Sequence, residues 1–169
     1  LHIETKEQEL TIIIANHVSR LDPFLLCTNM DWQTTKKLIP YRFMVSNGYM
    51  KRPIMRIFLK LVWWYPAYSY DESGKNMSLS HSRIFLERGE TLVIFPEGGI
   101  HHKKFWIWAF YLNQKVEKSR LELFRIEKKN KKYRIEYRGT DRVQSYEDED
   151  LLAISEKIFH KISHDEKAH

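Results

Sequence analysis

The sequence Leu10-Thr11-Ile12-Ile13-Ile14-Ala15-Asn16-His17-Val18-Ser19-Arg20-Leu21-Asp22 joins an apolar run to a polar one. The run at 10–15 is rich in β-branched residues and predicts a buried strand. Residues 16–22 predict the loop at the end of that strand. Pro23 is typical of the first turn of a helix, which we expect to end near Thr28.

Predicted strands and predicted helices alternate along the rest of the chain. Further strands are predicted at 41–46 and 91–95, and a short strand or extended loop at 66–70. Helices are predicted at 49–64, 76–88, 104–118 and 148–162, with a polar connection at 31–37. Residues 121–126 and 133–138 alternate apolar and polar side chains across a basic turn at 128–132, which predicts a hairpin. Strands alternating with helices predict a single α/β domain over residues 1–169, with a mixed β-sheet flanked by α-helices.

Composition narrows the class of partner. The formal net charge is +6, so anions are favoured: nucleic acid, lipid headgroups, phosphorylated substrates or an acidic carrier protein. The single cysteine, Cys27, lies in an apolar run, and we interpret it as buried and inert rather than nucleophilic. No run approaches the roughly 18 apolar residues of a spanning helix. The chain begins at Leu1 rather than Met, so an upstream membrane anchor is left open.

His17 and Asp22 are candidate catalytic residues. On a continuous helix, five residues rotate by about 500°, so the two side chains meet only if a turn intervenes, as at a strand-to-helix junction. An Asp bonded to one imidazole nitrogen leaves the other free to take a proton from a hydroxyl. The alternative is a structural loop histidine with Asp22 as the helix N-cap, and the spacing by itself favours that alternative.

A second polar cluster, Phe95-Pro96-Glu97-Gly98-Gly99, follows the predicted strand at 91–95. Loops at strand ends are where α/β proteins place their sites. Glycines allow backbone N–H groups to approach a phosphate or an oxyanion. The basic residues that follow add positive charge: His101, His102, Lys103 and Lys104. Alone, this signal is weak because many turns read Pro-Glu-Gly.

Together, Asn-His-x-x-x-x-Asp at 16–22 and Phe-Pro-Glu-Gly at 95–98 resemble the glycerophospholipid acyltransferase superfamily, which contains the 1-acylglycerol-3-phosphate acyltransferases. The resemblance covers residues 10–99, and 100–169 are divergent or shortened, with a hairpin and a C-terminal helix. It implies that His17 is the general base, that Asp22 orients it and that Asn16 orders the turn. It also implies that Glu97 and Gly98 help to place the acceptor. Gly99, Lys103 and Lys104 are further acceptor-binding candidates, with Lys103, Lys104 or His102 in place of the family's phosphate-binding arginine.

The resemblance further implies the reaction: acyl transfer from acyl-CoA or acyl carrier protein to a lysophospholipid such as 1-acylglycerol 3-phosphate, in phospholipid biosynthesis, without metal or bound cofactor. Two departures leave the acceptor open. The family continues its second motif with Thr-Arg-Ser, and this chain has Gly99-Ile100-His101. An arginine that often follows the Pro66 position is also replaced, here by Ala67-Tyr68-Ser69. Another lyso-lipid acceptor and a non-catalytic lipid-binding relative are the alternatives.

Residues 49–64 predict contact with an anionic membrane surface, on the cytoplasmic face. Arg52, Arg56 and Lys60 form one stripe on a helix, and Trp63 and Trp64 suit a bilayer interface. The alternative is a core helix with a charged outer stripe. We interpret His160 and His164 as a solvated pair rather than metal ligands, and the basic turn at 128–132 as solvated rather than a nucleic-acid site.

Overall fold

A six-stranded mixed sheet forms the centre of the computed structural model, which describes residues 10–46, 64–67, 72–97, 108–116, 118–130, 132–146 and 150–163. The strands are β1 Leu10–Ala15, β2 Tyr41–Ser46, β3 Trp64–Ala67, β4 Thr91–Ile94, β5 Ser119–Lys129 and β6 Lys132–Asp141. The helices are α1 Asp22–Thr28, α2 Trp32–Leu38, α3 Glu72–Glu87, α4 Trp108–Lys115 and α5 Leu151–Ser163. A short 3-10 helix spans Val143–Ser145.

The strand order is β3-β2-β4-β1-β5-β6. β1 pairs in parallel with both β4 and β5, and β2 pairs in parallel with β4 and β3. β6 pairs antiparallel with β5. β1 is therefore covered by a strand on each side and by helices on both faces. This position explains the unbroken apolar run at 12–15, where every side chain is buried.

Two cores lie on opposite faces of the sheet. On one face, Ile12 and Ile14 of β1 pack with apolar residues of α3, α4 and α5. On the other face, Ile13 and Ala15 pack with apolar residues of α1 and α2, including Leu26. The protein thus has three layers, α/β/α, and the mixed α/β fold predicted from the sequence is confirmed.

The prediction of a polar connection at 31–37 is wrong, because α2 occupies it. The Asp31 carboxylate accepts hydrogen bonds from the backbone N–H of Thr34 at 2.9 Å and from the Thr34 hydroxyl at 2.9 Å, and so caps the helix. Trp32 is exposed and Leu38 is buried. A helix with one short buried edge has little apolar periodicity, so the sequence pattern did not reveal it, although the Asp31 cap is a local signal for a helix start.

The hairpin is longer than predicted, since β5 begins at Ser119 and β6 ends at Asp141. The predicted strand omitted Arg120 and its surroundings because charged residues rarely lie in a core. Here the Arg120 guanidinium lies 2.9 Å from the carboxylate of Glu122, and both are buried. Within the described segments, no helix has the length and hydropathy of a membrane span.

Candidate active site

The two sequence motifs meet at the carboxyl edge of the sheet. β1 and β4 are parallel neighbours with Ile14 opposite Ile94, so the residues that follow each strand emerge side by side. The backbone N–H of His17 donates a hydrogen bond to a carboxylate oxygen of Glu97 at 3.3 Å. Motifs 80 residues apart in the sequence therefore form one site, at the position where α/β sheets commonly bind ligands.

His17 and Asp22 form a hydrogen-bonded pair. His17 Nδ1 lies 2.8 Å from Asp22 Oδ2, and the Asp22 side chain is 0% exposed. The backbone N–H groups of Val18 and Ser19 each donate to the same oxygen at 2.7 Å. The loop at 16–21 therefore folds around the carboxylate, and this supplies the turn that the five-residue spacing requires.

The pairing sets the tautomer of the imidazole. A carboxylate accepts hydrogen bonds, so Nδ1 carries the proton and Nε2 is the basic nitrogen of the neutral ring. The His17 side chain is 17% exposed, and its ring stacks on Phe95 with centroids 4.6 Å apart and planes 29° apart. Asp22 and Phe95 thus hold the ring from two directions. Such an arrangement can accept a proton from a bound hydroxyl and stabilise the imidazolium that results.

Asp22 does not take the capping position considered from the sequence. Leu21 occupies the N-cap of α1 and makes no side-chain capping bond, while Asp22 is the first helical residue. Its carboxylate is occupied by His17 and by the two preceding backbone N–H groups instead. The other carboxylate oxygen, Oδ1, is buried and has no hydrogen-bond donor among the described residues.

Glu97 is partly buried beside His17, and this burial raises its pKa from 4.5 to about 7. The hydrogen bond and the charge of His17 oppose the shift, and the charge of Asp22 adds to it. Because the folded-state pKa exceeds that of the unfolded chain, the folded protein holds the extra proton between the two values. The stability that protonated Glu97 contributes to the folded protein is therefore present at acidic pH and is lost as the pH rises towards 7.

Asn16 joins the site to β5. Its side-chain amide donates to the backbone oxygen of Ile126 at 2.8 Å, and its side-chain oxygen accepts from the Ile126 backbone N–H at 2.6 Å. These two bonds continue the β1–β5 pairing by one step after β1 has ended. Asn16 thus fixes the direction in which the chain enters the loop that carries His17.

Sequence reasoning missed Tyr133 of β6. Its hydroxyl donates a hydrogen bond at 3.0 Å to the hydroxyl oxygen of Ser19, within the loop between His17 and Asp22. The alternating pattern of the hairpin placed Tyr133 on a strand, but no motif connects that strand with a loop 114 residues away. Only the pairing of β5 beside β1 brings the two together.

The remaining candidates divide into two groups. Gly98, Gly99, Lys103 and Lys104, and the predicted membrane residues Arg52, Arg56, Lys60 and Trp63, lie outside the described residues. Trp64 lies at the start of β3, so its prediction as part of a helix is wrong. It is partly buried, with ring centroids 5.6 Å from Phe43 and 6.4 Å from Phe24.

Two other residues considered from the sequence are also clarified. Cys27 is half-buried on α1, and burial raises the pKa of its thiol to about 12, so it holds its proton at neutral pH. His160 is exposed on α5, and the described part of the chain contains no group of three His, Cys, Asp or Glu side chains suited to a metal ion.

A buried Asp paired with a histidine at the carboxyl edge of an α/β sheet defines a candidate general-base site. The acyltransferase family model matches residues 2–113, two thirds of the 169 residues, and the chain therefore belongs to the acyltransferase family. The match includes both motifs and ends before β5. No curated protein matches the chain.

Proposed function

We propose that the protein transfers a fatty acyl group from a thioester to the hydroxyl of a lysophospholipid, with His17 as general base. The observation that supports this proposal is the His17–Asp22 pair, at 2.8 Å, in a chain of the acyltransferase family. In the neutral imidazole this pairing makes Nε2 the proton acceptor, and the buried carboxylate faces the imidazolium that forms. That is what a base needs when it removes a proton from a weakly acidic alcohol.

The reaction proceeds by direct attack on the donor. The acceptor oxygen bonds to the thioester carbonyl carbon while its proton moves to His17 Nε2. The tetrahedral intermediate then collapses, the carbon–sulfur bond breaks, and the proton on His17 passes to the departing sulfur. The products are an ester and a free thiol, and His17 returns to its neutral form. Asp22 remains ionised throughout and stabilises the transient imidazolium.

The donor in this proposal is acyl-CoA or acyl carrier protein. Both place a fatty acyl thioester on a phosphopantetheine arm, and both are anionic. The net charge of +6 favours either partner over a neutral thioester. We include no resident cofactor and no metal in the mechanism, because His17 and the thioester together supply the base and the leaving group.

The proposed acceptor is 1-acylglycerol 3-phosphate, held beside the second motif. Glu97 contacts the backbone of His17, so a glycerol group bound there lies next to the base. Gly98 and Gly99 would bring backbone N–H groups to the phosphate, and Lys103 and Lys104 would supply the charge that the family takes from arginine. The replaced arginines support another lyso-lipid as the alternative acceptor.

The same proposal puts the protein at the cytoplasmic face of a membrane. Residues 49–64 would contact anionic headgroups through Arg52, Arg56 and Lys60, with Trp63 at the interface. Trp64, at the start of β3, packs against Phe43 and Phe24, and the proposed contact does not depend on it.

A substrate matrix tests the proposal. Palmitoyl-CoA and palmitoyl carrier protein are each incubated with 1-acylglycerol 3-phosphate, 1-acylglycerophosphocholine or monoacylglycerol, and both free thiol and ester product are measured. We expect thiol release to require a phosphorylated lyso-lipid and to be lost in His17→Ala. His160→Ala, which removes an exposed histidine of α5, serves as the matched control and should behave as wild type. Equal turnover by His17→Ala and wild type would refute the assignment of the base.

A further inference from the structure

The β5–β6 hairpin contacts the loop at 16–21 that carries His17. The hairpin lies outside the residues that match the family. Ala15, the last residue of β1, pairs with Phe124, and β5 continues to Lys129. At about 3.3 Å per residue, this extension reaches roughly 16 Å beyond the end of β1. β6 returns along it, so both strands flank the loop at 16–21.

Tyr133 of β6 contacts this loop through its side chain. It lies directly opposite Lys128 in the β5–β6 pairing, and the Lys128 ammonium is 5.3 Å from the centre of its ring. Its hydroxyl donates to Ser19 Oγ at 3.0 Å. Hydrogen bonds with the Ser19 and Lys128 side chains lower the pKa of Tyr133, in that order of importance. The nearby cation therefore makes the hydroxyl a stronger donor to Ser19.

Ser19 connects Tyr133 to the His17–Asp22 pair through hydrogen bonds. Its hydroxyl oxygen also accepts a hydrogen bond from the backbone N–H of Leu21 at 3.2 Å. Its own backbone N–H donates to Asp22 Oδ2 at 2.7 Å, and the same oxygen binds His17 Nδ1. A continuous series of hydrogen bonds thus runs from Tyr133, through Ser19 and Asp22, to His17.

We propose that Tyr133 is a positioning residue for acyl transfer, acting through Ser19 to keep the Asp22 carboxylate aligned on His17. The inference rests on the proposed role of His17 as the base. It also assigns the hairpin a function, since the family-matched residues end at 113 and the loop is held from β5 and β6. Asn16 fixes the start of the loop on β5, and Tyr133 fixes its middle.

A double-mutant cycle tests the route through Ser19. Tyr133→Phe keeps the ring and removes the hydroxyl, and we expect kcat to fall about 3–10-fold with KM changed less than twofold. Ser19→Ala should lower kcat similarly. If Tyr133 acts through Ser19, the double variant should be no slower than Ser19→Ala alone. Multiplicative losses in the double variant would overturn the proposed route.

Tyr137→Phe is the matched control. Tyr137 lies on the same face of β6, and its hydroxyl donates to the Glu122 carboxylate at 2.6 Å rather than to the loop. We expect this variant to lower the melting temperature and leave kcat unchanged. A fall in kcat equal to that of Tyr133→Phe would show that any lost hydroxyl in the hairpin has the same effect, and would overturn the proposal.

A second measurement does not depend on turnover. Amide hydrogen exchange is followed at Val18 and Ser19, whose N–H groups bind Asp22, relative to the core amide of Ile13. Tyr133→Phe should accelerate exchange at both loop positions at least about fivefold, and Tyr137→Phe should not. Acceleration in a protein that transfers no acyl group would support the positioning role and refute the proposed function. Unchanged exchange would overturn the positioning role whatever the activity.

Discussion

Replacing Asp22 by Asn removes the charge that faces His17 while keeping the size of the side chain. The wild-type carboxylate is fully buried and receives hydrogen bonds at 2.8, 2.7 and 2.7 Å on one oxygen. An Asn oxygen in the same place keeps a hydrogen-bond acceptor in front of these donors. The variant therefore tests the charge of Asp22 separately from the geometry of the loop.

The expected loss follows from the charge separation. Two unit charges about 4 Å apart interact by roughly 4 kcal/mol at an effective dielectric constant of about 20. Since about 1.4 kcal/mol corresponds to a factor of ten, loss of this stabilisation slows the step that forms the imidazolium by about 10³-fold. The amide would also place an N–H₂ group at the buried Oδ1 position, and an unsatisfied donor there costs about 1–3 kcal/mol of folding stability.

The assay is kcat/KM for ester formation, with thermal unfolding of each variant to confirm that it is folded at the assay temperature. Asp31→Asn is the matched control, because Asp31 caps α2 and Asn caps helices equally well. It should match wild type in rate and stability. If folded Asp22→Asn retained more than about a tenth of the wild-type kcat/KM, electrostatic support of His17 by Asp22 would be refuted.

Three further predictions follow from the site. Because the pKa of Glu97 is about 7 in the folded protein, the free energy of unfolding of wild type should fall by about 1–2 kcal/mol between pH 5 and pH 8, after discounting for the partial exposure of Glu97. Urea unfolding of Glu97→Gln should lack this fall, and an equal dependence of unfolding free energy on pH in both proteins would contradict the prediction. Asn16→Ala should destabilise the protein by about 1–3 kcal/mol, because the backbone N–H and C=O groups of Ile126 lose their hydrogen-bond partners. An unchanged midpoint in denaturant titrations would show that the Asn16–Ile126 hydrogen bonds do not stabilise the fold. Cys27 in the folded protein should react with iodoacetamide at pH 8 at least about 30-fold more slowly than in urea. The raised pKa of the thiol lowers the thiolate fraction more than it raises the nucleophilicity of the thiolate. Similar rates in both conditions would show an accessible thiol of ordinary pKa.

The sequence predicted correctly those features that follow directly from the local residue types. The apolar run of β1 predicted a strand buried on both faces, and all of its side chains from Ile12 to Ala15 are buried. The histidine and glutamate motifs were predicted to lie at strand ends, and the parallel pairing of β1 with β4 brings them into contact. Family resemblance supplied the pairing of His17 with Asp22, which the five-residue spacing does not imply.

Features that depend on burial in the fold, or on partners elsewhere in the chain, were not predictable. Arg120 and Glu122 are charged residues inside a buried strand, and they are accommodated there because they neutralise each other. The contact of Tyr133 with Ser19 depends on the position of β5 beside β1, which no local pattern encodes. The α2 helix was missed for another reason: its cap, Asp31 with Thr34, is a local signal that its low apolar periodicity obscured.

A single-turnover experiment shows whether His17 removes the acceptor proton during acyl transfer. Enzyme in excess over isotope-labelled palmitoyl-CoA is mixed with 1-acylglycerol 3-phosphate, and ester product and free thiol are followed by mass spectrometry for wild type and His17→Ala. We predict equal amounts of ester and thiol from wild type and a rate at least about 10³-fold lower for folded His17→Ala. Ester formation by His17→Ala at the wild-type rate would show that His17 is not the base.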